Sequence, residues 1–147
     1  MGPNVSPSVT VRRARHADAA GVWPLAEAFA TSYVPRREAF DPAFEAMLAS
    51  DGAGVFVAEV EGAVVGYLVA HQHATLFANA PVAWIEELMV AEPRRGHGVG
   101  RALMDAAEEW ARAAGCAYVA LATRRAQEFY RAIGYAESAA FFRKQLD

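Results

Sequence analysis

The sequence predicts an α/β (α+β) fold, with a mixed, mostly antiparallel central sheet of about seven strands flanked by about four helices. Three observations carry the prediction. Short runs rich in β-branched residues alternate with segments whose apolar residues recur at helical spacing. Glu61-Gly62 separates two such runs, the signature of an antiparallel hairpin. Trp84 to Arg101, WIEELMVAEPRRGHGVGR, passes from an apolar strand through Pro93 and a pair of arginines into a glycine-rich turn that opens a helix.

Val9 to Ala14, VTVRRA, alternates β-branched with polar residues and forms the first strand. Asp18 caps the next helix, whose stripe is Ala19, Val22, Trp23, Ala26 and Phe29; Pro24 marks either a kink or the helix's true start. Tyr33 to Arg37 is a loop, after which Asp41 (N-cap) and Pro42 (first helical residue) start a second helix that runs to about Ser50. Asp51 to Gly54 is a turn, and Val55 to Val60 and Val64 to Ala70 are the hairpin strands. Thr75 to Pro81 leads into the central strand. The long helix, Val99 to Ala114, carries its stripe on Val99, Leu103, Ala106, Ala107, Trp110 and Ala114. Gly115 ends it; Tyr118 to Ala122 is a strand, Ala126 to Ile133 a short helix stopped by Gly134, and Ala136 to Leu146 holds a pair of short strands.

A chain of 147 residues fits one domain, residues 9–147, preceded by a loose arm at 1–8. At that length it buries about 68–70% of the surface of its unfolded form and needs no staples. Hydrophobic residues at 54% and charged residues at 21% fit a soluble globular protein, and no apolar run suits a membrane span. A net charge of −3 gives no reason to expect nucleic acid. The start, MGPNVSPSV, lacks the pattern of a signal peptide, and a single cysteine, Cys116, fits a reducing cytoplasm, where it reads as a buried small side chain.

Chemistry concentrates in the central strand and its glycine turn. Ile85, Leu88, Met89 and Val90 suit a strand covered on both faces, yet Glu86 and Glu87 lie among them. Ionisable groups in a central strand are costly unless paired or solvated, so at least one of them reaches a partner or a water-filled cleft. Gly96, Gly98 and Gly100 allow backbone N–H groups to approach a ligand, and the following helix N-terminus with Arg94, Arg95 and Arg101 completes a phosphate site. An NTPase loop would need a lysine and a hydroxyl here, and a dinucleotide fingerprint would need glycine where Arg101 stands. What fits is R-x-x-G-x-G, read as Arg95-Gly96-His97-Gly98-Val99-Gly100.

That loop, with the Ile85-Glu86-Glu87-Leu88 strand before it, resembles the acyl-CoA pyrophosphate loop of the GNAT superfamily of N-acyltransferases. Ala126 to Tyr135, AQEFYRAIGY, is similar to the family's A-x-x-F-Y-x-x-x-G-[FY] segment, and the element order agrees along nearly the whole chain from Val9. The resemblance implies an N-acetyltransferase that moves an acetyl group from acetyl-CoA to a primary amine by direct attack in a ternary complex. In the family the central strand splays from its neighbour, and the pantetheine arm enters the gap like an added strand. By carry-over, main-chain groups of Leu88, Met89 and Val90 hold the arm, and Arg95, Gly96, His97, Gly98, Val99, Gly100 and Arg101 surround the pyrophosphate, with His97 contributing at most a hydrogen bond. Some relatives draw their base from the matching acidic pair, which points to Glu86 with Glu87 close behind. These side chains face opposite ways in a regular strand, an assignment a bulge would upset. Tyr130 matches the tyrosine that protonates or stabilises the departing thiolate. Where the family often has asparagine, seven residues before that tyrosine, this chain has Thr123.

The acceptor, a small molecule or a peptide amine, would be met by the loops at Phe29 to Phe40 and His71 to Pro81, with Tyr33, Phe40, His73 and Phe77 lining its pocket. His71 and His73 share a strand face but have no matched third and fourth ligands, so no metal is expected. Arg124 and Arg125 read as a solvated turn. Phe141-Phe142 near the C-terminus, together with the sheet-edge pairing of many relatives, points to a homodimer. The alternative function is a non-catalytic acyl-CoA-binding regulatory module of the same fold. It has no use for a base and an acid flanking the thioester.

Overall fold

A computed structural model describes residues 8–146; the expected arm therefore lies, but for Ser8, outside the described residues. Its elements are β1 (Thr10–Arg13), α1 (Ala19–Phe29), α2 (Arg37–Ala49), β2 (Ala53–Val60), β3 (Ala63–His73), β4 (Val82–Val90), α3 (Val99–Ala113), β5 (Val119–Leu121) and α4 (Gln127–Ala132). The strands form one sheet in the order β1-β2-β3-β4-β5, antiparallel except for the parallel β4–β5 pair. The hairpin is as expected: Val60 pairs with Ala63, and Glu61 and Gly62 both have positive φ, which suits the strand twist.

The sheet is covered on both faces. On one, α3 buries Val99, Leu103, Met104 and Ala107 against Phe56, Leu68, Ala70 and Ile85. On the other, α1 and α2 place Val22, Leu25 and Phe44 over Val55, Val57, Tyr67 and Val69. Each fully buried Leu or Phe contributes about 1.5–3 kcal/mol relative to exposure, so these layers hold β3 and β4 rigidly in the middle.

Several expectations need correction. The described residues contain five strands, not about seven, because residues 136–146 form no strand. That tail begins Ala136-Glu137-Ser138-Ala139-Ala140, without a β-branched residue, and Phe142 is 89% exposed. Helix α2 begins at Arg37, so Pro42 lies inside it and Asp41 is not its cap. The extra turn is held by Arg37, which pairs with Asp41 at 2.8 Å and lies over the rings of Trp23 and Phe40. Pro24 likewise sits within α1. Asp18 stands at the start of α1, but its carboxylate is spent elsewhere. It accepts bonds from Arg12 Nη1 and Nη2, both at 2.8 Å, and from the Arg15 N–H at 2.7 Å.

Candidate active site

The site begins with a break in the β3–β4 ladder. Val69 pairs with Glu87 and Ala70 with Ile85, so Glu86 is the extra residue of a bulge. The sequence logic that sends Glu86 and Glu87 to opposite faces assumed a regular strand. With the bulge, Ile85 and Leu88 both pack on the α3 side, Glu86 is pushed out into solvent, and Glu87 turns under α1 and α2.

Glu87 is half-buried and lines a cavity of about 100 Å³ with Val22, Ala26, Phe40, Phe44, Met47 and Tyr67. The Tyr67 hydroxyl donates to its Oε1 at 2.7 Å. Burial pushes the Glu87 carboxyl above the usual carboxylate range, and the nearby negative charge of Glu86 adds to the rise; the Tyr67 bond and His71 oppose it. Burial and the negative charge of Glu87 hold the Tyr67 phenol well above its ordinary value, so it stays a donor.

The other edge of β4 is open beyond Ile85. Pairing with β5 ends at Ile85 and Leu121, so residues 86–90 have no strand partner on that side among the described residues. Ala91 N–H donates to Val65 O at 2.8 Å, and antiparallel ladders alternate, so the main-chain groups of Leu88 and Val90 face the open edge while those of Met89 face Tyr67. Val90 O accordingly accepts from Arg95 Nε at 3.1 Å.

A 3-10 turn, Glu92–Arg94, started by Pro93, carries the chain into the glycine loop. Gly96 has φ +78° and Gly98, the N-cap of α3, has φ +84°, a region other residues enter only with strain. The first N–H of α3 to bond is that of Ala102, to Gly98 O at 3.0 Å, which leaves the N–H groups of Val99, Gly100 and Arg101 free at the positive end of the helix. Arg95, His97 and Arg101 are exposed around them. Such a terminus fits the pyrophosphate of a CoA ester.

Helix α4 abuts this loop. A Cβ at Gly100 would lie 3.2 Å from Phe129. Tyr130 is half-buried on the α3 side, edge-on to Phe129 and Tyr135, and burial pushes its phenol up to about 12. Glu87 and Tyr130 therefore lie on opposite faces of the sheet. Thr123 Oγ1 accepts from the Ala126 N–H at 3.1 Å, which holds the turn leading into α4.

The expected acceptor residues are not brought together as a group. Phe40 shares the Glu87 cavity, stacked on Phe44 and edge-on to Trp23. Tyr33 is exposed and accepts from Gln145 Nε2 at 2.6 Å. His73 ends β3, about 13 Å along the strand from Val69. Phe77 is 73% exposed in the loop beyond. Tyr67 was missed by sequence reasoning, although a tyrosine within an aliphatic strand needs a partner for its hydroxyl.

The chain is similar to known acetyltransferases. An aminoglycoside N(6')-acetyltransferase type 1 from Stenotrophomonas maltophilia is 28% identical over 97% of this chain and 97% of its own. An aminoalkylphosphonate N-acetyltransferase from Salmonella typhimurium is 35% identical over 74% of this chain and 73% of its own. The solved structure of a provisionally assigned acetyltransferase from Agrobacterium tumefaciens superposes with a TM-score of 0.82 at 30% identity, covering 93% of this chain and 99% of that one. With residues 22–135 matching the acetyltransferase (GNAT) family, the chain belongs to that family and is an acetyl-CoA-dependent N-acetyltransferase.

Proposed function

We propose that the chain acetylates a small-molecule primary amine by direct attack on acetyl-CoA, with Glu87 as general base and Tyr130 as general acid. One observation carries the reading: a half-buried carboxylate, fixed by Tyr67, lies beside the open edge of β4. The main chain of Leu88 and Val90 binds the pantetheine arm in that gap, as a peptide adds to a sheet edge, with Met89 between them packing below. The loop from Arg95 to Arg101, through Gly96, His97, Gly98, Val99 and Gly100, takes the pyrophosphate on its free N–H groups and guanidinium groups.

An alkylammonium with a pKa near 10.4 is neutral in only about one molecule in 10³ at pH 7. Glu87 takes its proton, directly or through a water. The amine nitrogen then attacks the thioester carbonyl carbon, a C–N bond forms, the C–S bond breaks, the thiolate leaves with a proton from Tyr130, and the nitrogen's second proton passes through water to restore the Tyr130 phenol, leaving the amide N–H. The raised proton affinity of Glu87 supports it over Glu86 as the base, because a base works best when its pKa approaches the working pH. Glu86, exposed on the bulge, raises that affinity through its charge.

Of the acceptor residues, Phe40 belongs to the Glu87 cavity, whereas Tyr33, His73 and Phe77 do not line it. The free edge of β5 and the exposed Phe142 and Leu146 support a homodimer, testable by sedimentation at micromolar concentration. The lone cysteine supports a cytoplasmic location.

Release of CoA thiol from acetyl-CoA across a panel of amines, beside calorimetry for acetyl-CoA itself, tests the reading. Binding with amine-dependent release is expected. Absence of binding would overturn the assignment of the loop.

A further inference from the structure

The cavity that holds Glu87 also describes the acceptor. Its walls are Val22, Ala26, Phe40, Phe44 and Met47, and the polar side chains that line it are Glu87 and Tyr67. The Tyr67 hydroxyl is already committed to Glu87. Among the lining residues there is one formal charge, a carboxylate, and no cation.

From this we infer that the preferred acceptor is a compact primary monoamine whose carbon skeleton next to the nitrogen is apolar, an alkylamine or an aralkylamine. The inference rests on the acetyltransferase reading of the site and adds the acceptor class to it. An ammonium group meets the carboxylate, and the carbons beside it meet aromatic and aliphatic walls. A hydroxyl on those carbons would enter the cavity without a free partner, which weakens selection by roughly 10- to 100-fold for each group left unpaired. A phosphonate or second carboxylate would meet the carboxylate of Glu87 with no cation among the lining residues, Arg37 lying outside them over Trp23 and Phe40. Size agrees, because about 100 Å³ admits on the order of three to eight non-hydrogen atoms. Phe40 stacks on Phe44 and meets the Trp23 ring edge-on along the α1–α2 side, which extends the apolar wall past Phe40.

The test compares kcat/KM for n-butylamine and benzylamine with that for glucosamine, an aminoglycoside and aminoethylphosphonate, using the full chain and acetyl-CoA with thiol release as readout. The apolar amines are expected to win by at least 10-fold. Ala26→Leu, which fills the cavity, is expected to raise KM for benzylamine about 10-fold and to shift the kcat/KM ratio about 10-fold from benzylamine toward methylamine. Ala43→Leu, at an exposed position on the cavity rim, repeats the test should Ala26→Leu lower stability. A preference for the hydroxylated or phosphonate amines, turnover of none of the panel despite acetyl-CoA binding, or an unchanged KM in both variants would overturn the inference while leaving the fold and cofactor reading intact. Loss of acetyl-CoA binding in the unmodified chain would instead overturn the reading beneath it.

Discussion

The Tyr67 hydroxyl and Glu87 Oε1 lie 2.7 Å apart on neighbouring antiparallel strands, diagonal across the ladder because Tyr67 pairs with Met89 and Val69 with Glu87. Diagonal neighbours on one face are within reach of a long aromatic side chain, so the contact follows from the register set by the bulge. The bond favours the ionised carboxylate. Tyr67→Phe removes it, so the Glu87 pKa should rise and the acid limb of the kcat/KM profile should move up by about 1 pH unit, the scale of one charge-assisted bond. A profile that keeps its acid limb in Tyr67→Phe would show that Glu87 is not the group titrating there.

Glu87 also makes a stability prediction whose sign can be worked out. Its folded pKa lies above the ordinary value, chiefly through burial, so the contribution to stability is fully present below the unfolded pKa and is lost as pH rises through the folded one. Glu87→Gln should therefore melt no lower than the unmodified protein at pH 7, while kcat falls by about 10²–10⁴, the range of a general base. Glu86→Gln, at an exposed position, should cost less than about 10-fold and move the acid limb down, since it removes a charge that raises the Glu87 pKa. Thermal melts and pH–rate profiles of both variants decide it.

Asp18 works in the opposite direction. It is 7% exposed, and the Arg12 guanidinium holds its carboxyl below the usual range. Its stabilisation is present above the unfolded pKa, near 3.9, and is lost as pH falls through the lower folded value. Asp18→Asn should cost about 3 kcal/mol at pH 7, because among the described residues it leaves Arg12 with Glu59 as its one carboxylate partner, and the difference from the unmodified protein should shrink below pH 3. Denaturant unfolding at both pH values measures it.

These residues also show what a sequence can reveal. Glu61-Gly62, the Arg95 to Gly100 spacing and the stripe on α3 were legible because each is set by neighbours along the chain, through turn dihedrals, backbone approach or helical period. Which face Glu87 occupies was not, because the bulge at Glu86 depends on how β4 meets β3 and shifts every side chain beyond it to the other side. Tyr67 was equally hidden, since its partner lies across the ladder. The start of α2 escaped because Arg37 reaches Trp23 on another helix, a tertiary contact that outweighs the local signal of Asp41-Pro42. The absent strands of the tail show a different limit. Phe141 and Phe142 look like strand residues, yet Phe141 stacks on Trp84 instead of pairing.

Tyr130 separates the chemical step from binding. It lies on α4, on the face of the sheet opposite Glu87, and burial pushes its phenol up to about 12, so it keeps its proton through any practical assay range. A group that stays protonated gives no limb to the pH profile, and an alkaline limb below about pH 9 must come from elsewhere. Its effect should appear in the departure of the thiolate. Tyr130→Phe is expected to lower kcat by about 10²-fold and to leave the acetyl-CoA dissociation constant within about 2-fold, because an acid acts in the transition state and not in ground-state binding. An acyl donor with a thiol of lower pKa leaves more readily without a proton. With such a donor the deficit of Tyr130→Phe should narrow, whereas a side chain that serves only to pack against Phe129 and Tyr135 would give the same deficit with either thiol.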